Sequence, residues 1–139
     1  MLVRDFMTSP IITAEVTTLV SEAVTLMAAE DIGSLIVTRG DVLEGLVTQR
    51  EILCAQLLSN EAYSLLTLSD IMTSPVVTVA EDADLGQVVS VMNRTGKKYL
   101  PVMQADEIIG IVTPTDVIRV LATVKLIADG MPDEYVVED

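Results

Sequence analysis

Hydrophobic residues recur along the first half of the chain in spacings that predict alternating strands and helices. Val20, Val24 and Met27 share one side of a helix, because residues three and four apart lie on the same helical face. A second helix is expected from Gln49 onward. Three short apolar runs read as strands, and the polar turn between the last two predicts a hairpin. These runs lie at 11–13, 34–37 and 43–47.

The same pattern returns in the second half of the chain at a constant offset of 65 residues. Met7-Thr8-Ser9-Pro10 recurs as Met72-Thr73-Ser74-Pro75, and Val47-Thr48 recurs as Val112-Thr113. One copy of about 60 residues would bury too little apolar surface to be stable by itself. We therefore expect an α/β (α+β) fold of two β-α-β-β-α copies packed about a pseudo-twofold axis. The predicted boundaries are 1–60 for the first copy, 61–128 for the second and 129–139 for an acidic C-terminal tail.

Composition narrows the functions that such a fold could serve. The net charge is −13, which argues against binding to nucleic acid or to an anionic membrane. No apolar run reaches the roughly 18 residues of a membrane span, and no signal peptide follows Met1, so a cytoplasmic location is expected. The chain has no histidine, and we expect neither a metal site nor catalysis. The single cysteine, Cys54, is expected to pack as a small apolar residue on a helix face.

Candidate chemistry lies where a predicted strand runs into a helix, at Gly110–Asp116. Free backbone N–H groups at such a junction attract anions, and the Asp116 carboxylate could accept hydrogen bonds from the vicinal diol of a ribose. The same residues also fit a helix-capping box with Pro114 at the first helical position, and Thr48–Glu51 fits that box as well. The pattern alone leaves both interpretations open.

Taken in order, these elements resemble a tandem pair of CBS domains (named for cystathionine beta-synthase), also called a Bateman module. The resemblance covers residues 2–122, and its motifs are the repeated Met-Thr-Ser-Pro, the strand segments at 32–37 and 97–102, and the two Gly-x-Val-Thr junctions. It implies a non-catalytic sensor that binds AMP, ADP, ATP or S-adenosylmethionine in clefts between the copies. It also implies a disc-like homodimer that signals to an effector protein, which the sequence does not identify.

The resemblance implies one better nucleotide site, closed by Asp116. In this family the closing aspartate holds the ribose hydroxyls, the neighbouring hydroxyls approach the ribose and phosphate, and residues of the other copy sandwich the base. The residues so predicted are Ile12, Ile32, Gly33, Ser34, Ile111, Thr113, Thr115 and Asp116.

A second site is implied at the matched positions of the other cleft. Glu51 is one methylene longer than the aspartate of the family, and we expect it to crowd or displace the ribose. Basic residues at the place of Lys97 and Lys98 can reach ligand phosphates in this family, although here they could also only solubilise the start of a strand. The predicted residues are Leu46, Thr48, Arg50, Glu51, Val77, Lys97, Lys98 and Tyr99.

Two other functions stay open at the level of sequence. A ligand-free dimerisation or assembly module for a partner protein is favoured by Glu51 and by the capping-box interpretation of both junctions. A small enzyme is the third possibility, and the lack of histidine and of a nucleophile–base pair counts against it.

Overall fold

The chain forms two small three-stranded sheets flanked by helices, in a computed structural model that describes residues 1–130. In the first copy, the expected β-α-β-β-α order is confirmed, with one short helix added before it. The elements in chain order are α1 (Val3–Phe6), β1 (Thr13–Glu15), α2 (Val20–Glu30), β2 (Ser34–Arg39), β3 (Val42–Thr48) and α3 (Gln49–Ala55).

The second copy repeats this order after a linking helix, α4 (Asn60–Leu65). Its elements are α5 (Leu68–Ile71), β4 (Val79–Ala80), α6 (Leu85–Thr95), β5 (Leu100–Gln104), β6 (Glu107–Val112) and α7 (Pro114–Asp129). Helices α2 and α6 begin 65 residues apart, as do α3 and α7. Helix α7 continues through Asp129, and the rest of the predicted acidic tail, from residue 131 on, lies outside the described residues.

Both sheets have the same mixed topology. The first strand of each sheet pairs parallel with the second, which pairs antiparallel with the third, in the orders β1-β2-β3 and β4-β5-β6. Each hairpin carries a bulge at the same place, after Val37 and after Val102. Pairing of the first strands begins only at Thr13 and Val79, slightly later than the apolar runs predict.

The segment that leads into each copy crosses to the other copy. These leading segments are residues 2–12 and 67–77. Thr8 exchanges two backbone hydrogen bonds with Ile111 of β6, at 2.8 and 3.0 Å, and Thr73 exchanges two with Leu46 of β3, at 2.9 and 3.1 Å. The two sets of bonds are related by the offset of 65, so the copies face each other about a pseudo-twofold axis. The leading segment of the first copy therefore contacts the second copy.

Each hydrophobic core contains residues from the leading segment of the other copy. The core of the second copy includes Val3 and Phe6 of α1, and the core of the first copy includes Leu68 of α5. Val3 and Leu68, which are equivalent positions, are both fully buried. Burial of such a side chain is worth about 1.5–3 kcal/mol, so each copy depends on the other for part of its stability.

Helix ends follow the sequence closely in the second copy. Helix α6 is capped by Asp84, whose carboxylate accepts from the Gln87 N–H at 2.8 Å while the Gln87 side chain accepts from the Asp84 N–H at 2.8 Å. The helix stops at Gly96, whose φ of 71° is the left-handed conformation that glycine adopts readily at the end of a helix. In the first copy, Asp31 takes the equivalent left-handed position with a φ of 53°.

The connection between the copies is ordered by packing. Tyr63 and Leu66 of this region lie against the core of the first copy, which fits the prediction that the copies are docked.

The expectation for Cys54 is wrong, because this residue is exposed on α3 and does not pack into a core. Among residues 1–130, no helix has both the length and the apolar character needed to cross a membrane.

Candidate functional site

Two cavities lie between the copies, each at the place where a hairpin strand runs into the helix that follows it. We name them after the equivalent residues that line them, Thr115 at the start of α7 and Arg50 at the start of α3. Each cavity combines a strand-to-helix junction of one copy with the start of the hairpin of the other. The repeat therefore produces two related sites with different side chains.

The Thr115 cavity has a volume of about 440 Å³ and contains seven of the eight residues predicted for the better site. The predicted residues that line it are Ile12, Ile32, Gly33, Ser34, Ile111, Thr113 and Thr115. Further lining comes from Thr8, Pro10, Ile11, Asp31, Ile36, Lys98, Tyr99 and Pro114. The apolar side chains come from both copies, and the threonine hydroxyls are concentrated where α7 begins.

Asp116, the eighth predicted residue, lies behind this cavity and does not line it. Its side chain is 1% exposed, and four donors reach its two oxygens. Oδ1 accepts from the Thr8 hydroxyl at 2.9 Å and from Arg119 Nη1 at 3.2 Å, and Oδ2 accepts from the Thr113 N–H at 2.9 Å and the Thr113 hydroxyl at 3.3 Å. In this structure the carboxylate caps α7 and joins it to the leading segment of the first copy.

The Arg50 cavity has a volume of about 360 Å³ and contains seven of the eight residues predicted for the second site. The predicted residues that line it are Leu46, Thr48, Arg50, Glu51, Lys97, Lys98 and Tyr99, and the further ones are Gln49, Thr73 and Gly96. Val77 does not line it, because this side chain packs against the core of the second copy.

Glu51 differs from its counterpart Asp116 in exposure as well as in length. It is partly exposed and lines its cavity, where the carboxylate accepts from the Thr48 hydroxyl at 2.8 Å, the Thr48 N–H at 3.3 Å and the Thr73 hydroxyl at 3.3 Å. Cys54, at the position equivalent to Arg119, offers Glu51 no cationic partner. The extra methylene thus places a carboxylate at the cavity surface.

Lys98 and Tyr99 line both cavities, so the two sites meet at the start of β5. The Tyr99 ring lies beside Gly33 of the other copy, where an added Cβ would be 3.3 Å from the tyrosine oxygen. A larger side chain at position 33 would therefore press on Tyr99. The sequence predicted these two residues for the second site alone.

Thr8 and Thr73 are lining residues that sequence reasoning did not assign. Each belongs to a repeated Met-Thr-Ser-Pro motif, and each hydroxyl donates to the carboxylate at the start of the helix in the other copy. The repetition marked the motif as significant, but only the crossing of the leading segments shows what it contacts. Within residues 1–130, no group of three or more potential ligand side chains could hold a metal ion.

Comparison with known proteins matches this architecture to one family. The CBS domain model matches residues 3–57 and 68–123. An uncharacterized protein of Methanopyrus kandleri is 31% identical over 112 residues, which are 79% of this chain and 57% of that protein, so the chain spans little more than half of this relative.

Two solved structures share the fold over nearly the whole of their own chains. The CBS domain pair of protein MJ0100, in complex with 5′-methylthioadenosine and S-adenosyl-L-methionine, is 27% identical, with a TM-score of 0.80 over 89% of this chain and 98% of that one. CBSX2 in complex with AMP is 25% identical, with a TM-score of 0.78 over 89% and 98%. The family model covers most of the chain, and the chain therefore belongs to the CBS domain family and forms a CBS domain pair, a regulatory module.

Proposed function

We propose that this chain is a non-catalytic sensor that binds an adenosine-containing ligand between its two CBS domains and passes the signal to a partner protein. The observation that carries the proposal is the placement of fourteen of the sixteen predicted residues in two cavities between the copies. Relatives of this fold have been solved with AMP and with 5′-methylthioadenosine and S-adenosylmethionine. The candidate ligands are therefore AMP, ADP, ATP and S-adenosylmethionine.

The side chains suit the parts of such a ligand. Ile12, Ile32 and Ile111 offer apolar surface for a base, and Thr113 and Thr115 offer hydroxyls for a ribose or a phosphate. Volumes of about 440 and 360 Å³ lie in the range of roughly 300–1,000 Å³ that is usual for small-molecule sites. The Thr115 cavity combines apolar side chains with a few polar groups, as in most ligand sites, whereas most side chains that line the Arg50 cavity are polar or charged.

The crossing of the leading segments supplies a route for the signal. Thr8 and Thr73 line the cavities, and each belongs to a segment that packs into the core of the other copy. A ligand that moves either threonine changes the contact between the copies. A partner protein that docks on both copies would then detect the change.

Calorimetric titration with the four ligands tests this function. We expect at least one of them to bind with a dissociation constant below about 1 mM and to raise the melting temperature, because binding to the native state stabilises it. Ile111→Trp should fill the Thr115 cavity, and Leu46→Trp, at the equivalent position, should fill the Arg50 cavity. Each variant serves as the control for the other, and binding that survives when the two substitutions are combined would place the ligand elsewhere.

An assembly module without a small ligand is the second candidate, and exposed apolar residues on two helices favour it. Leu53 of α3 and Ile118 of α7 are equivalent positions, and they are exposed to 63% and 64%. Leu121, Val124 and Ile127 extend the apolar surface along α7. If these residues join copies of the chain, Leu53→Glu with Ile118→Glu should lower the sedimentation coefficient. Val42→Glu, at an equally exposed hairpin position, should not change it.

A further inference from the structure

Tyr99 borders both cavities, and the repeat alone does not explain why. Its equivalent in the first copy is Ser34, which lines the Thr115 cavity but not the Arg50 cavity. Within residues 1–130, Lys98 and Tyr99 are the two residues that the linings of both cavities share, and both belong to the second copy. The tyrosine ring is the rigid part of this shared wall, since the lysine side chain is exposed and flexible.

The ring of Tyr99 also lies against the backbone of the other copy, at Gly33. A Cβ added at Gly33 would lie 3.3 Å from the tyrosine oxygen and 3.9 Å from Cε1 of the ring. This backbone is anchored, because the Gly33 carbonyl accepts from the Gln49 N–H at 3.3 Å, where α3 begins. The ring therefore has two cavities beside it and a fixed backbone on a third side.

The segment that carries Tyr99 is held less firmly than the segment that carries Gly33. Ser34 is the first residue of β2 and pairs with β3, whereas β5 begins one position after Tyr99. Pro114 stands at the place of Gln49 and has no N–H, so the bond that anchors Gly33 has no counterpart in the second copy. A ligand that presses on this wall would therefore move Tyr99 and not Gly33.

We propose that Tyr99 couples the two cavities, so that a ligand in one of them weakens binding in the other. A ring that is pushed out of one cavity must enter its neighbour, because backbone closes the third side. The coupling is reciprocal, since each bound ligand changes the affinity for the other by the same factor. The inference rests on the proposed function, and it lets the module respond over a wider range of ligand concentration than two uncoupled sites would.

NMR titration with AMP measures the coupling. The methyl resonances of Ile111 and Leu46 report the occupancy of the Thr115 and Arg50 cavities separately, and the two curves together give both dissociation constants and the coupling factor. In the wild type we expect the first AMP to weaken the binding of the second by at least about fivefold. Tyr99→Ala should bring this factor close to one, whereas Tyr99→Phe, which keeps the ring, should retain it.

Ser34→Ala is the matched control, because it truncates the equivalent position, which borders one cavity. The coupling factor should be the same in this variant as in the wild type. A factor of one in the wild type, or an unchanged factor in Tyr99→Ala, would overturn the coupling and leave the proposed function intact.

The cavity-filling variants replace AMP where it does not occupy both cavities. If AMP binds one cavity, filling of the other by Ile111→Trp or Leu46→Trp should weaken it by at least about fivefold, and Tyr99→Ala should remove this effect. If AMP binds neither, the proposed function fails for this ligand, and urea denaturation still tests the coupling. The double variant should then lose more stability than the sum of the two single losses, and additive losses would overturn the inference.

Discussion

At the scale of single residues, the two junction carboxylates show how burial changes what a motif can do. A carboxylate offers about four acceptor positions, and the four donors that reach Asp116 occupy all of them. A ribose diol could bond to Asp116 only by displacing one of these donors. Glu51 accepts three bonds, two of them long, and lies at its cavity surface. The glutamate is therefore the more available acceptor of the two.

Replacing each carboxylate tests this difference without any ligand. Asp116→Ala should lower the free energy of unfolding by about 2–3 kcal/mol, because it removes a helix cap and leaves buried donors unpaired. Glu51→Ala, the matched variant in the first copy, should cost about 1 kcal/mol or less, since its surroundings are open to water. Urea denaturation measures both. Equal losses would show that Asp116 is not the more strongly bonded residue, and the result also decides whether Asp116→Ala can be used in binding experiments.

Local motifs predict cavity residues well but do not predict their bonding. Thr113 and Thr115 could be assigned from the sequence because a strand-to-helix junction is defined by a few adjacent residues. The burial of Asp116 could not be predicted from the sequence. It depends on a hydrogen bond from Thr8, which lies 108 residues away and reaches Asp116 because the leading segment crosses to the other copy. Val77 illustrates a different ambiguity, since an apolar residue suits a core as well as a ligand, and here it packs against the core of the second copy.

At the scale of elements, the short strand β1 is held to the hairpin by a side chain as well as by its backbone pairing. Glu15 ends β1, and its carboxylate accepts from the Gly40 N–H at 2.9 Å and from the Thr38 hydroxyl at 2.7 Å. These two bonds, the Gly40 bond foremost, lower the pKa of Glu15, and nearby Arg39 adds a smaller effect in the same direction. The ionised Glu15 carboxylate thus links β1 to the turn of the hairpin by hydrogen bonds.

This link should make stability depend on pH in a defined direction. Because the folded pKa of Glu15 is lowered, its contribution is complete above the unfolded value of about 4.3 and is lost as the pH falls through the folded pKa. The melting temperature of Glu15→Gln should therefore lie below that of the wild type at pH 7, and the gap should close in acid. Glu30→Gln, the same change at an exposed position on α2, is the control. A gap that stays constant down to pH 3 would contradict the proposed link.

Periodicity predicted the long elements and missed the short ones. Helices α2 and α6 carry two or three turns of apolar spacing, so their positions follow from sequence. Helices α1 and α5 have four residues each, which is too short for a helical period to show. The apolar runs before β1 and β4 also predicted strands two or three residues early, because extended conformation alone does not supply a pairing partner.

At the scale of the whole molecule, two features that occur in both copies form one contact between the copies. The methionine of each Met-Thr-Ser-Pro motif lies over the glycine of the opposite junction, Met7 over Gly110 and Met72 over Gly45. A Cβ added at Gly110 would lie 2.9 Å from the Cγ of Met7, and one at Gly45 would lie 2.8 Å from the Cγ of Met72. Each glycine thus leaves room for a methionine side chain of the other copy.

A pair of double substitutions tests whether this contact holds the copies together. Gly110→Ala should lower the free energy of unfolding by about 1–3 kcal/mol through overpacking, and adding Met7→Ala should recover part of the loss, since the next closest atom, the Thr8 carbonyl oxygen, is 3.1 Å away. At the equivalent site, Met72→Ala should not rescue Gly45→Ala.

The two sites differ because the Cβ of Met72, which alanine keeps, already lies 2.9 Å from the added methyl group at Gly45. Urea denaturation of the four single and two double variants gives the coupling energy in each copy. Favourable coupling at Gly110 together with none at Gly45 would show that the methionine side chain beyond Cβ carries the contact at Gly110. Equal coupling at both sites, or none at either, would contradict this interpretation, because it would mean that the backbones adjust to the added methyl group.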